Sequence, residues 1–257
     1  MTYIKELRKS QGEDGSIFSW ELFRNPNERL CRRLIIVPGL TSRNHPDYST
    51  LYDAMAVAVV EAGGEVVTFA ARGQLGSEGL YSFPGCVQDV ITIAKEWSPG
   101  EGVALFGRSA GGPIALRCAQ ILSSPQVLIW AAARRFSYEQ LLGPNSDGSY
   151  LRACEKYGTR MCPNFYDTLF FPEDEIRKVK CPVWVGIGDQ DEHSNAIEQL
   201  DTLLQSKMNG SLLFVIKGAR HAVAVDSHAW NAMRALLRSW LGALPSEYNL
   251  SRPNGGI

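Results

Sequence analysis

The stretch Gly107-Arg108-Ser109-Ala110-Gly111 constrains the fold of this chain more than any other. An apolar run at residues 103–106 precedes it, and a run with helical character at residues 113–119 follows it. A strand, the pattern Gly-x-Ser-x-Gly and a helix together predict a sharp turn that raises the serine hydroxyl above the edge of a sheet. Because the two glycines lack Cβ atoms, strand and helix can approach closely, and Ser109 can hold an unfavourable backbone conformation.

Short aliphatic runs alternate with helical stretches over most of the chain. Residues 4–24 predict a hairpin, and the later runs are continuously apolar, which is typical of parallel strands covered by helices on both faces. These later runs are residues 34–37, 65–69, 103–106, 127–130, 183–185 and 212–216. The alternation predicts an α/β fold with a mostly parallel, twisted sheet and helices on both of its faces.

The length of 257 residues predicts one domain over residues 1–257, with an insertion at residues 134–178. This insertion holds eight aromatic residues and lies between two predicted strands. Aromatic side chains at this density need an apolar surface, so we expect a small cap whose aromatics, such as Tyr157 and Tyr166, contact a ligand. The alternative is a self-packed cluster that only shields the site. The tail from Ser246 is expected to be disordered.

Charge and composition bear on the partners of the chain. The net charge of −1 provides no basic field for nucleic acid or for an anionic membrane surface, and no apolar run reaches eighteen residues. The first residues lack the apolar core of a signal peptide, which predicts a cytoplasmic location. The six cysteines are scattered without the spacing of a zinc site, so no metal is expected.

A serine hydroxyl becomes a strong nucleophile when a base takes its proton and a carboxylate orients that base. On a sheet of this type the three residues follow one another as Ser, then Asp or Glu, then His. Among the four histidines, His221 alone comes directly after a predicted strand. His193 lies too close in sequence to the candidate acids to be their partner, and His228 begins the last predicted helix.

Two aspartates compete for the role of the acid. Asp189 and Asp191 both follow the predicted strand at residues 183–185, at the sheet edge where ligands of open α/β sheets bind. We favour Asp191, and Asp189 is the alternative. The residue that is not the acid is expected to bond the loop backbone in a turn.

An oxyanion formed by attack of Ser109 on a carbonyl needs preorganised hydrogen-bond donors. The backbone N–H of Ala110 is one candidate, and Leu40, in the loop after the strand at residues 34–37, offers the second. The alternative for that loop is a plain turn at the exit of the strand. Arg108 is unusual beside a nucleophile, and it predicts either a contact with a substrate carboxylate or an ion pair with an acid of the cap or a loop.

These motifs together resemble the α/β-hydrolase fold superfamily and, within it, small bacterial esterases of the serine-aminopeptidase and feruloyl-esterase-like branch. The matching stretches are residues 38–42, 69–79, 107–111, 188–191 and 218–221. The resemblance implies that Leu40 and Ala110 are the oxyanion donors and that residues 134–178 form the cap. The chain departs from the family pattern at Pro38 and Ala70, where the family usually has His and Asp.

The residues and the resemblance predict a serine hydrolase of the carboxylesterase type, acting on small-molecule esters or related acyl compounds. Ser109, Asp191 and His221 would form the triad, and this chemistry requires no cofactor. Thioesterase, peptidase and C–C hydrolase activities use the same machinery. A non-catalytic member that binds a small molecule in the same pocket is the alternative from another class.

Overall fold

A sheet of eight strands runs through the computed structural model, which describes residues 2–27, 30–40, 46–74, 76–143, 145–193, 197–207, 209–244 and 250–251. Its strand order is β1-β2-β4-β3-β5-β6-β7-β8. The strands are β1 (Ile4–Gln11), β2 (Ile17–Arg24), β3 (Leu30–Val37), β4 (Gly64–Phe69), β5 (Ala104–Arg108), β6 (Val127–Trp130), β7 (Val183–Gly188) and β8 (Leu212–Ile216).

The first two strands form the predicted hairpin and pair antiparallel with each other and with β4, whereas all pairs from β4 to β8 are parallel. At the centre, Ile35 of β3 lies opposite Val67 of β4 and Leu105 of β5. The prediction of a mostly parallel sheet is confirmed. Two strands are longer than the apolar runs that predicted them: β3 begins at Leu30, and β5 extends to Arg108.

Helices cover both faces of the sheet, as the continuous apolar runs predicted. Ile35 and Val37 pack into one core cluster, and Leu34 and Ile36 pack into another, because successive strand residues point to opposite faces. The first cluster includes α2 (Phe83–Trp97) and α3 (Gly111–Leu122), and the second includes α1 (Pro46–Glu61).

The connection between β6 and β7 contains the insertion expected at residues 134–178. Its helical elements are α4 (Arg135–Leu142), α5 (Ser149–Lys156), a 3₁₀ turn (Phe165–Thr168) and α6 (Pro172–Lys178). Helix α6 is tied to α3 by a bidentate ion pair in which Arg117 donates to the buried Glu175 at 2.6 and 2.7 Å. The insertion therefore packs on a helix of the main sheet.

The last part of the chain contributes two helices and one short strand. Helix α7 (Ile197–Gln205) precedes β8, and α8 (His228–Gly242) joins α1 on the second face. The strand β9 (Leu250–Ser251) pairs with Leu30 and Cys31, so the prediction of a disordered tail from Ser246 is wrong at these two residues. The rest of that tail lies outside the described residues. None of the described helices combines the length and apolarity that a membrane crossing requires.

Candidate active site

Ser109 lies in the turn between β5 and α3, with a backbone φ of +52°. A positive φ is unfavourable for a residue with a Cβ, and such strain persists only where neighbouring structure holds it. Here the Ser109 N–H donates to the carbonyl oxygen of Trp130 at 3.0 Å, which fixes the turn to the end of β6. The strained serine that the Gly-x-Ser-x-Gly pattern predicts is therefore present.

The two glycines of the turn stand where no side chain fits. A Cβ on Gly107 would lie 2.7 Å from the Cα of Gly112, and one on Gly111 would lie 2.7 Å from the carbonyl oxygen of Pro38. Real Cβ atoms do not make such contacts. The turn thus packs directly on the chain that leaves β3, which brings Ser109 beside the loop that contains Leu40.

The side chains of Ser109, His221 and Asp191 form a continuous hydrogen-bonded chain. The Ser109 Oγ lies 2.9 Å from His221 Nε2, and His221 Nδ1 lies 3.0 and 3.2 Å from the two oxygens of Asp191. The carboxylate accepts hydrogen bonds, so the Nδ1 proton faces Asp191 and Nε2 is left to accept the hydroxyl proton of Ser109. The loops after β5, β7 and β8 bring these residues together at the carboxyl edge of the sheet.

The choice between the two aspartates is clear in the geometry. Asp191 is 3% exposed and contacts the His221 ring, and its Oδ1 also accepts the backbone N–H of His193 at 2.9 Å. Asp189 is exposed and accepts the backbone N–H of Gly218 at 2.7 Å. Asp189 thus bonds the loop backbone, in the role expected of the aspartate that does not contact the histidine.

Ala110 and Leu40 carry the two backbone N–H groups that the sequence predicts as oxyanion donors. Ala110 directly precedes the first turn of α3, where helical N–H groups have no intrahelical acceptor, and Leu40 belongs to the loop after β3. Within the part of the chain that the structure describes, neither N–H donates to a protein acceptor. An oxyanion hole needs donors that are not already used in this way, so the assignment stays a prediction that the described hydrogen bonds allow.

A pocket of about 160 Å³ opens above Ser109. The loops of the sheet edge and the insertion both contribute to its wall. The sheet side supplies Gly39, Leu40, Arg108, Ser109, Ala133, Glu192, His193, His221 and Ala222, and the insertion supplies Ser137, Tyr138, Leu141 and Tyr150. Among the described residues, no group of three or more His, Cys, Asp or Glu side chains is arranged to hold a metal ion.

The insertion lines the pocket with other aromatic residues than the two named from the sequence. Tyr157, at the end of α5, and Tyr166, which is 39% exposed in the 3₁₀ turn, are not among the residues that line this pocket. Tyr138 and Tyr150 are the aromatic residues that do. The sequence signal that could have identified Tyr138 is its helical spacing with Ser137 and Leu141, which places the three residues on one side of α4.

Arg108 is buried in the wall of the pocket, where its Nη2 donates to the backbone carbonyl oxygen of His221 at 2.9 Å. The side chain supports the loop that carries His221.

His193 is the pocket residue that sequence reasoning set aside. Its ring meets the His221 ring edge to face, with 4.6 Å between the centroids. Burial, and then the nearby charge of His221, lowers the pKa of His193 below its usual 6.5. Of the other histidines, His228 is exposed at the start of α8, and His45 lies outside the described residues.

Comparison with protein families finds no match for this sequence. Comparison with curated protein sequences finds none either. Solved structures, in contrast, match it over almost its full length. DcsB, solved in complex with its substrate analogue, is 14% identical with a TM-score of 0.74, and the match covers 94% of this chain and 100% of DcsB.

Two further structures are similar to the same extent. The α/β hydrolase GrgF from Penicillium sp. sh18 is 16% identical with a TM-score of 0.70, and the match covers 95% of this chain and 99% of GrgF. The Pyrococcus furiosus esterase Pf2001 is 15% identical with a TM-score of 0.70, covering 93% of this chain and 90% of the esterase. The chain therefore has the α/β-hydrolase fold, as its motifs predicted.

The lowered pKa of His193 predicts a pH-dependent contribution to stability. Because the folded state holds this ring neutral, its contribution is present above pH 6.5 and is lost as the pH falls through the lower pKa of the folded state. We expect the free energy of unfolding of His193→Gln, measured in urea between pH 7 and pH 5, to fall less steeply than that of the wild type. The exposed His228→Gln is the control, and equal slopes in all three proteins would contradict the prediction.

Proposed function

We propose that this protein is a serine hydrolase that cleaves carboxylic esters of small molecules through an acyl-enzyme on Ser109. The observation that carries the proposal is the hydrogen-bonded chain from the Ser109 hydroxyl through His221 to the buried Asp191, which ends in a pocket. The positive φ that raises Ser109 from the sheet edge, and the placement of both Ser109 and Leu40 in the pocket wall, support this reading.

In the acylation step, His221 Nε2 removes the hydroxyl proton as Ser109 Oγ forms a bond to the ester carbonyl carbon. The carbonyl π electrons move to the oxygen, and the resulting oxyanion accepts the N–H groups of Leu40 and Ala110. The bond to the alcohol oxygen then breaks, and His221 gives its proton to that oxygen. The alcohol leaves, and Ser109 carries the acyl group.

The deacylation step repeats these roles with water. His221 takes a proton from a water molecule, the water oxygen attacks the acyl carbon, and the same two N–H groups hold the second oxyanion. Collapse returns the proton from His221 to Ser109 Oγ and releases the carboxylic acid. Asp191 stabilises the imidazolium in both halves, and its burial makes this interaction stronger than it would be in water.

The insertion at residues 134–178 is proposed to act as a cap that selects the substrate, within a single domain. Four of its residues, Ser137, Tyr138, Leu141 and Tyr150, line the pocket. The small volume favours esters with a short group on one side of the carbonyl. Cleavage of thioesters, amides and activated C–C bonds requires the same catalytic residues. A panel of substrates that includes these bonds therefore shows which one the protein cleaves. A purely binding role is the alternative from another class.

A cytoplasmic location is part of the proposal. The five cysteines whose side chains are described, Cys86, Cys118, Cys154, Cys162 and Cys181, are all free thiols. Unpaired cysteines are typical of proteins in reducing compartments.

The first test of the function is covalent labelling with a fluorophosphonate combined with turnover of an ester panel. We expect Ser109 to be labelled, and Ser109→Ala and His221→Ala each to lose at least about 10³-fold in kcat. Because the two residues act as one unit, the double variant should lose little more. Additive losses would contradict the triad, and a folded wild type that neither reacts with the probe nor hydrolyses the panel would support the binding role.

The second test separates the two aspartates. Asp191→Asn is expected to lower kcat by roughly 10⁴-fold, because the amide leaves His221 in the wrong tautomer. Asp189→Asn, which alters a loop residue on the surface, should stay close to the wild type. Measurement of kcat for both variants on the best ester of the panel checks this, and a reversed order would assign the catalytic carboxylate to Asp189.

The third test concerns the cap. Tyr150→Ala removes an aromatic side chain from the pocket wall, so we expect the ranking of esters by size to change, with shifts in relative kcat/KM of roughly 1–3 kcal/mol. Tyr166→Ala removes an exposed ring outside the pocket and is the matched control. If both variants rank acyl and alcohol series as the wild type does, the loops after the strands determine specificity instead.

A further inference from the structure

The direction of the Leu40 N–H depends on the carbonyl group of the preceding residue. In a trans peptide the N–H and C=O groups of one plane point in opposite directions, and the described chain contains no cis peptide bond. The Leu40 N–H shares its peptide plane with the Gly39 carbonyl. Whatever holds the Gly39 oxygen away from the pocket therefore aims the Leu40 N–H into it.

Gln74 holds that oxygen. Its Nε2 donates to the carbonyl oxygens of Gly39 at 3.1 Å and Leu40 at 2.8 Å, and its Oε1 accepts the N–H of Ala71 at 3.3 Å. The side chain is 2% exposed and does not line the pocket. Since both ends of the amide are used, its orientation is fixed, and the two carbonyl oxygens are held toward Gln74, a side chain outside the pocket wall.

The loop that carries Gln74 is itself held rigidly. Two residues before Gln74, Arg72 donates its backbone N–H and two guanidinium N–H groups to the fully buried Asp89, at 2.7 to 3.0 Å. Gly73 has a φ of +76°, and a Cβ there would lie 2.9 Å from the carbonyl carbon of Leu80. The amide of Gln74 therefore extends from a rigid support.

Two other side chains hold the same short loop. The Gly39 N–H donates to the hydroxyl of the buried Tyr52 at 3.1 Å, and the hydroxyl of the buried Thr159 donates to the Leu40 oxygen at 3.2 Å. Thr159 belongs to the insertion. The next residue, Arg160, donates its backbone N–H to the Gly73 oxygen at 2.6 Å, and its own oxygen accepts the N–H of Tyr81 at 2.7 Å. The loop is thus held from helix α1, from the Gln74 loop and from the insertion.

We propose that Gln74 is a positioning residue for the oxyanion hole: by binding the Gly39 carbonyl, it keeps the Leu40 N–H directed at the oxyanion. The proposal rests on the proposed hydrolase function. Gln74 acts through the Gly39–Leu40 peptide and makes no contact with the substrate. Its effect therefore falls on the transition state, where negative charge develops on the oxygen, more than on binding of the uncharged ester.

The test compares Gln74→Met with Ser77→Ala. Methionine keeps the length of the side chain and removes the donor. Ser77 lies in the same loop, where its hydroxyl donates to the Ala70 carbonyl oxygen at 2.7 Å and accepts the Ser19 N–H at 3.3 Å. Its replacement therefore removes two hydrogen bonds and leaves the side-chain contacts of Gln74 in place. We expect Gln74→Met to lower kcat by roughly 10- to 100-fold with little change in KM, and Ser77→Ala to keep both constants near those of the wild type.

A second readout separates positioning from a general structural role. A trifluoromethyl ketone analogue of the best ester forms a tetrahedral adduct with a serine nucleophile. Its inhibition constant should rise in Gln74→Met by about the factor lost in kcat/KM, and it should not rise in Ser77→Ala. Equal losses in the two variants, or a loss in Gln74→Met that resides in KM alone, would overturn the proposal.

A crystal structure of Gln74→Met provides a result that does not depend on activity. The proposal expects the Gly39–Leu40 peptide to rotate or to adopt more than one orientation, with the Leu40 N–H no longer directed at Ser109. An unchanged peptide would overturn the inference about Gln74 whatever the activity. Absence of labelling and hydrolysis in the wild type would instead overturn the proposed function, so the two failures are distinguishable.

Discussion

The close approach of the turn at Ser109 to the end of β3 is the constraint on which the rest of the site depends. Gly111 lies against the carbonyl groups of Val37 and Pro38, in a space that admits no Cβ. This contact brings the serine and the loop of Leu40 together, although about 70 residues separate them in the chain. The positive φ of Ser109 is stabilised by the same packing and by the hydrogen bond to Trp130, so the local strain is balanced by contacts of the sheet.

Much of this arrangement could be predicted from the sequence because parallel strands impose a common edge. Once residues 103–106, 183–185 and 212–216 are interpreted as neighbouring parallel strands, the loops that follow them must emerge on the same side. Ser109, Asp191 and His221 then meet without any knowledge of side-chain packing. The preference for Asp191 over Asp189 rested on weaker grounds, since both follow the same strand, and the burial of one and the exposure of the other became visible only in the structure.

The features that the sequence did not reveal depend on contacts between distant segments. Gln74 holds a loop about 35 residues earlier in the chain, and no local pattern distinguishes it from any other glutamine in a turn. The sequence did not single out Tyr138 and Tyr150, which line the pocket, from Tyr157 and Tyr166, because aromatic density indicates that a segment packs on something and says little about which of its rings face the pocket. His193 was set aside on its distance in sequence from Asp191. A histidine so near Asp191 in sequence is not the one whose ring binds the carboxylate. Its ring can still contact the ring of His221.

The hydrogen bond from Arg108 to the His221 carbonyl connects the residue before the nucleophile with the backbone of the base. In the proposed reaction, acylation removes the hydroxyl proton of Ser109, so Ser109 Oγ can no longer donate a hydrogen bond to His221 Nε2. Until water enters the site, other contacts must hold the His221 ring. The Arg108 contact and the Asp191 contact do not involve the serine oxygen, so both survive acylation. If the proposed reaction holds, these two contacts would keep the His221 ring in place between acylation and deacylation, when the Ser109 hydroxyl can no longer do so.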